Sequence, residues 1–270
     1  MKLGIGTYTY MWSIGFAGAQ PVAPMDALGL LSKAHDLGLH VVQFGPNLPL
    51  DELTEAQLQE VLDYARHAQV DLELGTRGLE TQHLRRQIEL AERLKCGLIR
   101  TVPELPSGDT PCAAGLLESL ARIIPELESH RIRLALENGN VPTQELVRTL
   151  GALDNRWLGI TLDTVNSLAI PEGTEQVVKA LAKYTMCFHI KDFVVQRAWH
   201  RMGFIVEGRP AGKGQMNLPW ILQELESSKA EANAILELWP PEQADIQTTT
   251  ALEQDWAEES IRYLRQYIVN

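Results

Sequence analysis

The 270-residue sequence predicts a single α/β domain over 1–270, a closed (β/α)8 barrel. Three observations point there. Short apolar runs alternate with amphipathic, helix-spaced stretches along the whole chain, the length suits eight such units, and the polar ends of the later runs recur at a barrel's repeat. Glu137, Asp163, His189 and Glu237 end four of these runs, with successive members 26, 26 and 48 residues apart. A strand, loop, helix and return loop take roughly 25 to 35 residues. The first two intervals are therefore single units, and the third is a unit carrying a long insertion.

Taken in order, residues 2–9 form a strand that ends in hydroxyl groups, and 24–37 form the helix behind it, closed by Gly38. Residues 39–44 (LHVVQF) are the second strand, and 54–68 an amphipathic helix whose start, with Thr54, Glu55 and Gln57, has a capping-box pattern. Residues 70–74 (VDLEL) pass through Gly75-Thr-Arg-Gly78 into a helix over 80–94. Residues 97–102 (GLIRTV) lead through a loop at 103–111 to a helix ending near His130. Strands at 132–136, 158–162, 184–190 and 234–236 follow, and a helix over 250–267 closes the ring. No Pro/Gly/Ser linker is long enough to separate two domains. An open doubly wound sheet is written in the same alternation, but no G-x-G-x-x-G follows the first strand and no G-x-x-x-x-G-K-[ST] occurs.

Composition narrows the function. A net charge of −11 and a pI near 5.1 repel a phosphate backbone or an anionic membrane, so neither nucleic acid nor membrane is expected as a partner. Cys96, Cys112 and Cys187 show no CxxC spacing and no disulfide framework. With a start that runs straight into a strand and no apolar run of spanning length, a cytoplasmic protein is expected.

In a barrel every parallel strand delivers its last residue to one rim, so Glu137, Asp163, His189 and Glu237 would meet there. Three carboxylates side by side repel unless a cation neutralises them. Three oxygen donors and an imidazole suit one divalent ion, Mn²⁺, Mg²⁺, Co²⁺ or Zn²⁺, with positions left for substrate oxygens. Any single strand-terminal acid could merely cap the next helix. Four such groups on four successive strands favour the ion.

Around these positions the chain resembles the xylose isomerase-like TIM barrel family, which groups sugar isomerases and epimerases with inosose and dehydroshikimate dehydratases. Leu134-Ala-Leu-Glu-Asn138, Leu162-Asp-Thr164, Phe188-His-Ile-Lys-Asp192 and Ile235-Leu-Glu237 carry the likeness. It implies that Glu137, Asp163, His189 and Glu237 are metal ligands, and that Glu137 and Glu237 are also catalytic acid and base on opposite sides of a carbonyl compound. A divalent ion chelated by a carbonyl and its neighbouring hydroxyl stabilises the enediolate left when the adjacent proton departs. Two carboxylates can move that proton from face to face only if their pKa values are held apart.

Two positions depart from the family's epimerases. Those often carry His three residues after the aspartate and Arg six residues after the strand-seven histidine; here stand Asn166 and Val195, with Arg197 the nearest substitute. An amide can hydrogen-bond a sugar hydroxyl but takes up no proton near neutral pH. The insertion at 194–217, dense in charge, aromatics and glycine, reads as a lid or substrate clamp over the barrel mouth. Thr7-Tyr-Thr-Tyr10, Leu72-Glu-Leu-Gly-Thr-Arg-Gly78 and H-I-K-D-F followed by G-x-x-x-x-G also resemble a branch that includes 3-oxo-isoapionate decarboxylase. There the enediolate would arise by loss of CO₂, with Arg77, Arg100, Lys191 or Arg197 holding the substrate carboxylate.

Asn166, Lys191, Arg197, His200, Arg77 and Arg100 are thus the candidate substrate contacts, and Trp12 and Phe16 candidate pocket walls. Asp192, beside His189, is either an orienter of its ring or a helix cap. The chain is expected to be a divalent-metal-dependent isomerase or epimerase of a small keto-sugar, acting on carbohydrate alone and able to form a homo-oligomer. Second comes a decarboxylase or dehydratase of an oxo-sugar acid, and last a non-catalytic sugar-binding barrel. A DNA-cleaving barrel with a trinuclear zinc cluster would need several more histidines at the strand ends and a positive face.

Overall fold

Parallel strands pair edge to edge into a closed ring in the computed structural model, which describes residues 1–105 and 107–268. Pro106, inside the loop expected at 103–111, and residues 269–270 lie outside the described residues. The ring is built from β1 (Leu3–Gly6), β2 (Val41–Phe44), β3 (Asp71–Arg77), β4 (Leu98–Val102), β5 (Arg133–Glu137), β6 (Leu158–Asp163) and β7 (Thr185–Ile190). An inserted hairpin, β8 (Asp192–Arg197) and β9 (Phe204–Arg209), comes next in the chain, and β10 (Asn233–Leu236) then pairs with both β7 and β1 to close the barrel.

Helices α2 (Ala27–Asp36), α3 (Glu55–Ala68), α4 (Thr81–Arg93), α5 (Ala113–His130), α6 (Thr143–Leu153), α7 (Thr174–Leu181), α8 (Leu218–Ser227) and α9 (Ile246–Leu264) follow the barrel strands, and a one-turn α1 (Met11–Ile14) lies in the first loop. Their apolar faces bury Leu30, Leu84, Ile88, Leu120, Ile123, Leu146, Val177, Ile221 and Ile261 against the outside of the ring. Each such side chain contributes about 1.5–3 kcal/mol when fully buried. The expected capping box is present: Thr54 N–H donates to Gln57 Oε1 at 2.9 Å and Gln57 N–H donates back to Thr54 Oγ1. The last helix starts earlier than its apolar spacing suggests, because Asp245 caps it by accepting from Thr248 N–H at 2.7 Å. The first strand stops at Gly6, where Thr9 folds back to accept from Gly6 N–H and donate to the Leu236 carbonyl.

Period-two alternation arranges the inside of the barrel in layers. Val41, Leu98, Ala135, Cys187 and Ile235 form a small apolar plug separate from the main core. Two residues further along the same strands, on the same face, come Gln43, Arg100, Glu137, His189 and Glu237, all buried. The plug thus supports a polar layer at the C-terminal rim.

The insertion folds as a β-hairpin. Asp192 organises its base: Oδ2 accepts from Gly212 N–H at 2.8 Å and Gly214 N–H at 2.9 Å, while Oδ1 accepts from Met216 N–H at 3.0 Å. A Cβ at position 214 would collide with Asp192 Oδ1 and the Phe193 carbonyl, so glycine is required there. Asp192 therefore neither orients the His189 ring nor caps a helix.

The loop after β1 is held by a buried acid. Glu253 on α9 accepts from Trp12 N–H at 2.8 Å, Ser13 N–H at 2.9 Å and the Ser13 hydroxyl at 2.6 Å, satisfying the first turn of α1. Burial pushes its carboxyl up to about 7 against the pull of those donors. The native state therefore binds this proton more tightly than the unfolded chain, and stability falls as pH rises from about 4.5 to 7, by about 3 kcal/mol. Glu253→Gln should flatten that part of the urea stability profile; a wild-type-to-variant difference that does not change with pH would contradict it.

Candidate metal centre

The polar layer brings the four expected ligands to one point. Glu137 ends β5, Asp163 ends β6, His189 lies in β7 directly across from Asp163 in register, and Glu237 follows β10. One ligand atom from each lies within 4.8 Å of those of the other three. His189 Nδ1 stands 3.3 Å from Glu237 Oε1, 3.8 Å from Glu137 Oε1 and 4.0 Å from Asp163 Oδ2.

Local structure aims each donor. Asp163 Oδ1 accepts from Val165 N–H and Asn166 N–H at 2.8 and 2.7 Å, which turns Oδ2 into the centre. Asn138 fixes the end of β6 by accepting from Asp163 N–H at 2.7 Å and donating to the Asp163 carbonyl at 3.1 Å. Asn166 donates to Glu137 Oε1 at 2.5 Å. Gly139, at φ +134°, leaves Asn166 room to approach, since a Cβ there would press on the Asn166 Cβ.

Two cations share the layer. Arg100 Nε lies 2.8 Å from Glu137 Oε2, with its NH2 3.9 Å from Glu237 Oε1. Lys191 Nζ lies 2.8 Å from Asp163 Oδ2 and 2.7 Å from Glu237 Oε2. Burial alone would raise the carboxyls of Glu137 and Glu237, but Arg100 and His189 hold the first below its usual range and His189 and Lys191 the second. Asp163 moves up, because burial and its two acidic neighbours outweigh Lys191. His189 shifts well above its ordinary value, burial being overcome by Glu237, Cys187 and Glu137.

The donor set fits a divalent ion. His189 Nδ1 is buried and has no hydrogen-bond partner, an arrangement costing about 1–3 kcal/mol unless a cation or proton meets it. It faces three carboxylates, so one imidazole nitrogen and three oxygens converge, a set suited to Mn²⁺, Mg²⁺, Co²⁺ or Zn²⁺. Beside it opens a cavity of about 650 Å³ lined by Tyr8, Met11, Arg77, Arg100, Asn166, Lys191 and Trp239 among others.

Comparison with known proteins agrees with this architecture. A family model described as xylose isomerase-like TIM barrel matches residues 13–267. The chain belongs to that family. The 3-oxo-isoapionate decarboxylase of Pectobacterium atrosepticum is 31% identical to it over 265 residues, covering 98% of this chain and 95% of that protein. Among solved structures, the IOLI protein with a bound zinc atom superposes with a TM-score of 0.73 at 15% identity over the full length of both chains. D-psicose 3-epimerase with D-tagatose, from Clostridium cellulolyticum H10, does so with a TM-score of 0.71 at 15% identity over 98% of each. These two structural likenesses concern the fold.

In this xylose isomerase-like barrel the candidate substrate residues divide into two groups. Asn166, Lys191, Arg77 and Arg100 line the cavity, Arg77 at its mouth in an ion pair with Glu104 at 2.7 Å. Arg197 and His200 do not. The Arg197 guanidinium stacks 4.9 Å from the Phe204 ring and donates to the Arg201 carbonyl, while His200 packs edge-on against Trp199. Both belong to the far end of the hairpin, which leaves Trp199 and Met202 92% and 86% exposed, and of β8 and β9 only Val206 reaches the cavity wall. The clamp role expected of the insertion finds no support in that geometry. Trp12 and Phe16 pack on each other at 5.0 Å, and it is neighbouring Met11 that walls the cavity.

Sequence reasoning assigned no role to Tyr8, Gln43, Glu73 or Trp239. A signal existed for two of them: Gln43 is the single polar letter of β2 and Glu73 is a buried acid between Leu72 and Leu74 of β3, the two paired in register.

Proposed function

We propose that this chain is a divalent-metal-dependent enzyme that removes the carboxylate of a small oxo-sugar acid as CO₂. The observation carrying this reading is that Arg100, Lys191 and Arg77 line the cavity beside the acidic cluster. A divalent ion among three carboxylates leaves one negative charge, and Arg100 with Lys191 turns that into one positive charge, His189 being neutral as a ligand. Arg77 is already matched by Glu104. A neutral keto-sugar would leave the balance uncorrected; a substrate carboxylate would neutralise it. The full-length relative named as 3-oxo-isoapionate decarboxylase supports the same substrate class.

A bound ion would supply positive charge where electrons collect on the substrate carbonyl. The chain's own groups do the rest. Arg100 and Lys191 hold the acid against the cavity floor, and Tyr8, Met11 and Trp239 wall the space above. The bond to the carboxylate breaks, its electron pair passes into the adjacent carbonyl, CO₂ leaves, and a proton drawn from solvent is added to the carbon that held the carboxylate. Glu137 and Glu237 face that space and are the nearest groups to relay the proton. Asn166 steadies Glu137 but, being an amide, transfers none.

Epimerisation or isomerisation is the second reading, favoured by two glutamates, Glu137 and Glu237, reaching one centre. Oxo-sugar acids and ketoses should be screened with Mn²⁺ or Mg²⁺. Stoichiometric CO₂ supports decarboxylation, solvent deuterium entering beside the carbonyl without CO₂ supports epimerisation, and loss of water supports a dehydratase. No divalent ion above background, with an unchanged melting temperature in chelator, would remove all three.

A further inference from the structure

Gln43 on β2 and Glu73 on β3 sit inside the barrel beside the metal-centre layer, 2% and 4% exposed, opposite one another in register. None of the ion pairs among the described residues includes Glu73. Its oxygens are met by neutral donors instead: Oε1 accepts from Asn233 Nδ2 at 2.8 Å, and Oε2 from Gln43 Nε2 at 3.0 Å and from the Cys187 thiol at 3.9 Å. Gln43 Oε1 in turn lies 2.8 Å from His189 Nε2.

Chemistry fixes the direction of this chain. A carboxylate can only accept, so the NH₂ end of Gln43 must face Glu73 and its carbonyl oxygen must face the imidazole. That oxygen can be satisfied by His189 only if Nε2 carries the hydrogen. In the neutral ring Nδ1 then keeps its lone pair, and Nδ1 is the nitrogen that faces Glu137, Asp163 and Glu237.

We propose that Glu73, acting through Gln43, sets the tautomer and ring orientation of His189 for a divalent ion; both are positioning residues. The proposal rests on the metal-centre reading and adds to it the device that presents the nitrogen ligand. A merely structural pair would stabilise the barrel interior without choosing between the two ring nitrogens. Glu73→Gln keeps the shape but gives position 73 one acceptor in place of two, so Gln43 and Asn233 compete for it and the Gln43 amide is free to flip. Flipped, it would donate to Nε2 and move the ring hydrogen to Nδ1.

The test uses the full-length protein with Glu73→Gln and Gln43→Leu. Zn²⁺ alone is titrated by calorimetry, and ¹⁵N NMR of the His189 ring is recorded on ion-free protein at a pH where the ring is neutral. The wild type should show a protonated Nε2, Glu73→Gln should show a population protonated at Nδ1, and both variants should bind Zn²⁺ about 10- to 100-fold more weakly. Wild-type affinity and an unchanged ring signature in Glu73→Gln would overturn the proposal while leaving the metal centre standing. Failure of the wild type itself to bind Zn²⁺ would overturn both. If Gln43→Leu does not fold, the near-isosteric Glu73→Gln decides alone.

Discussion

Arg100→Met should destabilise the ion-free protein by about 3–5 kcal/mol, the range for stripping one partner from a buried ion pair. Arg100 is 3% exposed, lies 2.8 Å from Glu137 and 3.9 Å from Glu237, and donates to the Thr76 carbonyl. Methionine fills comparable volume, so the loss is chiefly electrostatic: two carboxylates remain buried with Lys191 as their remaining fixed cation. At about 3 °C per kcal/mol for a chain of this size, the melting temperature in chelator should drop by roughly 10 °C. Saturating Mn²⁺ should recover much of the loss, because an ion that binds only the native state stabilises it by mass action and supplies charge at the same place. Arg100→Lys, which keeps the charge but loses the fork, should fall between. Equal melting of wild type and Arg100→Met in chelator would mean that the buried pair contributes nothing. Under the decarboxylase reading the same variant should also raise KM for an oxo-acid more than for a neutral ketose.

Glu137, Asp163, His189 and Glu237 were legible because each is a charged or imidazole group closing a short apolar strand, and closure of a barrel makes strand ends neighbours. Their role as ligands followed from four such groups on successive strand ends, and the family likeness implied the same set. Gln43 and Glu73 were harder, because β2 and β3 are distant in sequence from β7 and a lone amide or acid in a buried strand is as readily read as an edge residue. Alternation held the clue: Gln43 stands two residues beyond Val41 just as His189 stands two beyond Cys187, one step above the apolar plug. The form of the insertion was hidden for another reason. The runs in β8 and β9 hold adjacent β-branched residues, Val194 with Val195 and Ile205 with Val206, but the intervening Trp199, His200 and Arg201 have the composition of a binding loop. Only the bonds from Asp192 to Gly212, Gly214 and Met216 show that the ordered element is the hairpin and its base. Such contacts cross about twenty residues and leave no local pattern.

Glu137→Gln and Glu237→Gln should each reduce turnover by about 10² to 10⁴-fold while leaving a folded protein. Glutamine keeps the volume of either side chain, but Glu137→Gln strips Arg100 of its buried partner and Glu237→Gln takes one of two carboxylates from Lys191, so stability in chelator should fall in both, more in Glu137→Gln. What is lost is an anionic oxygen on the shared centre. The two positions differ in their supports: Glu137 is gripped by Asn166 and Arg100, whereas Glu237 lies between Lys191 and His189. That difference separates the two chemistries. Decarboxylation needs one proton returned to one carbon, so one variant should be defective mainly in ion affinity and regain much of its rate at high Mn²⁺. The other should stay slow however much ion is supplied, because its proton relay is gone. Epimerisation needs removal from one face and return on the other, so neither variant would be rescued, and each would exchange the proton of one epimer alone with solvent deuterium. Near-normal rates in both would exclude either carboxylate from the chemistry and reduce the acidic cluster to a means of holding charge inside the barrel.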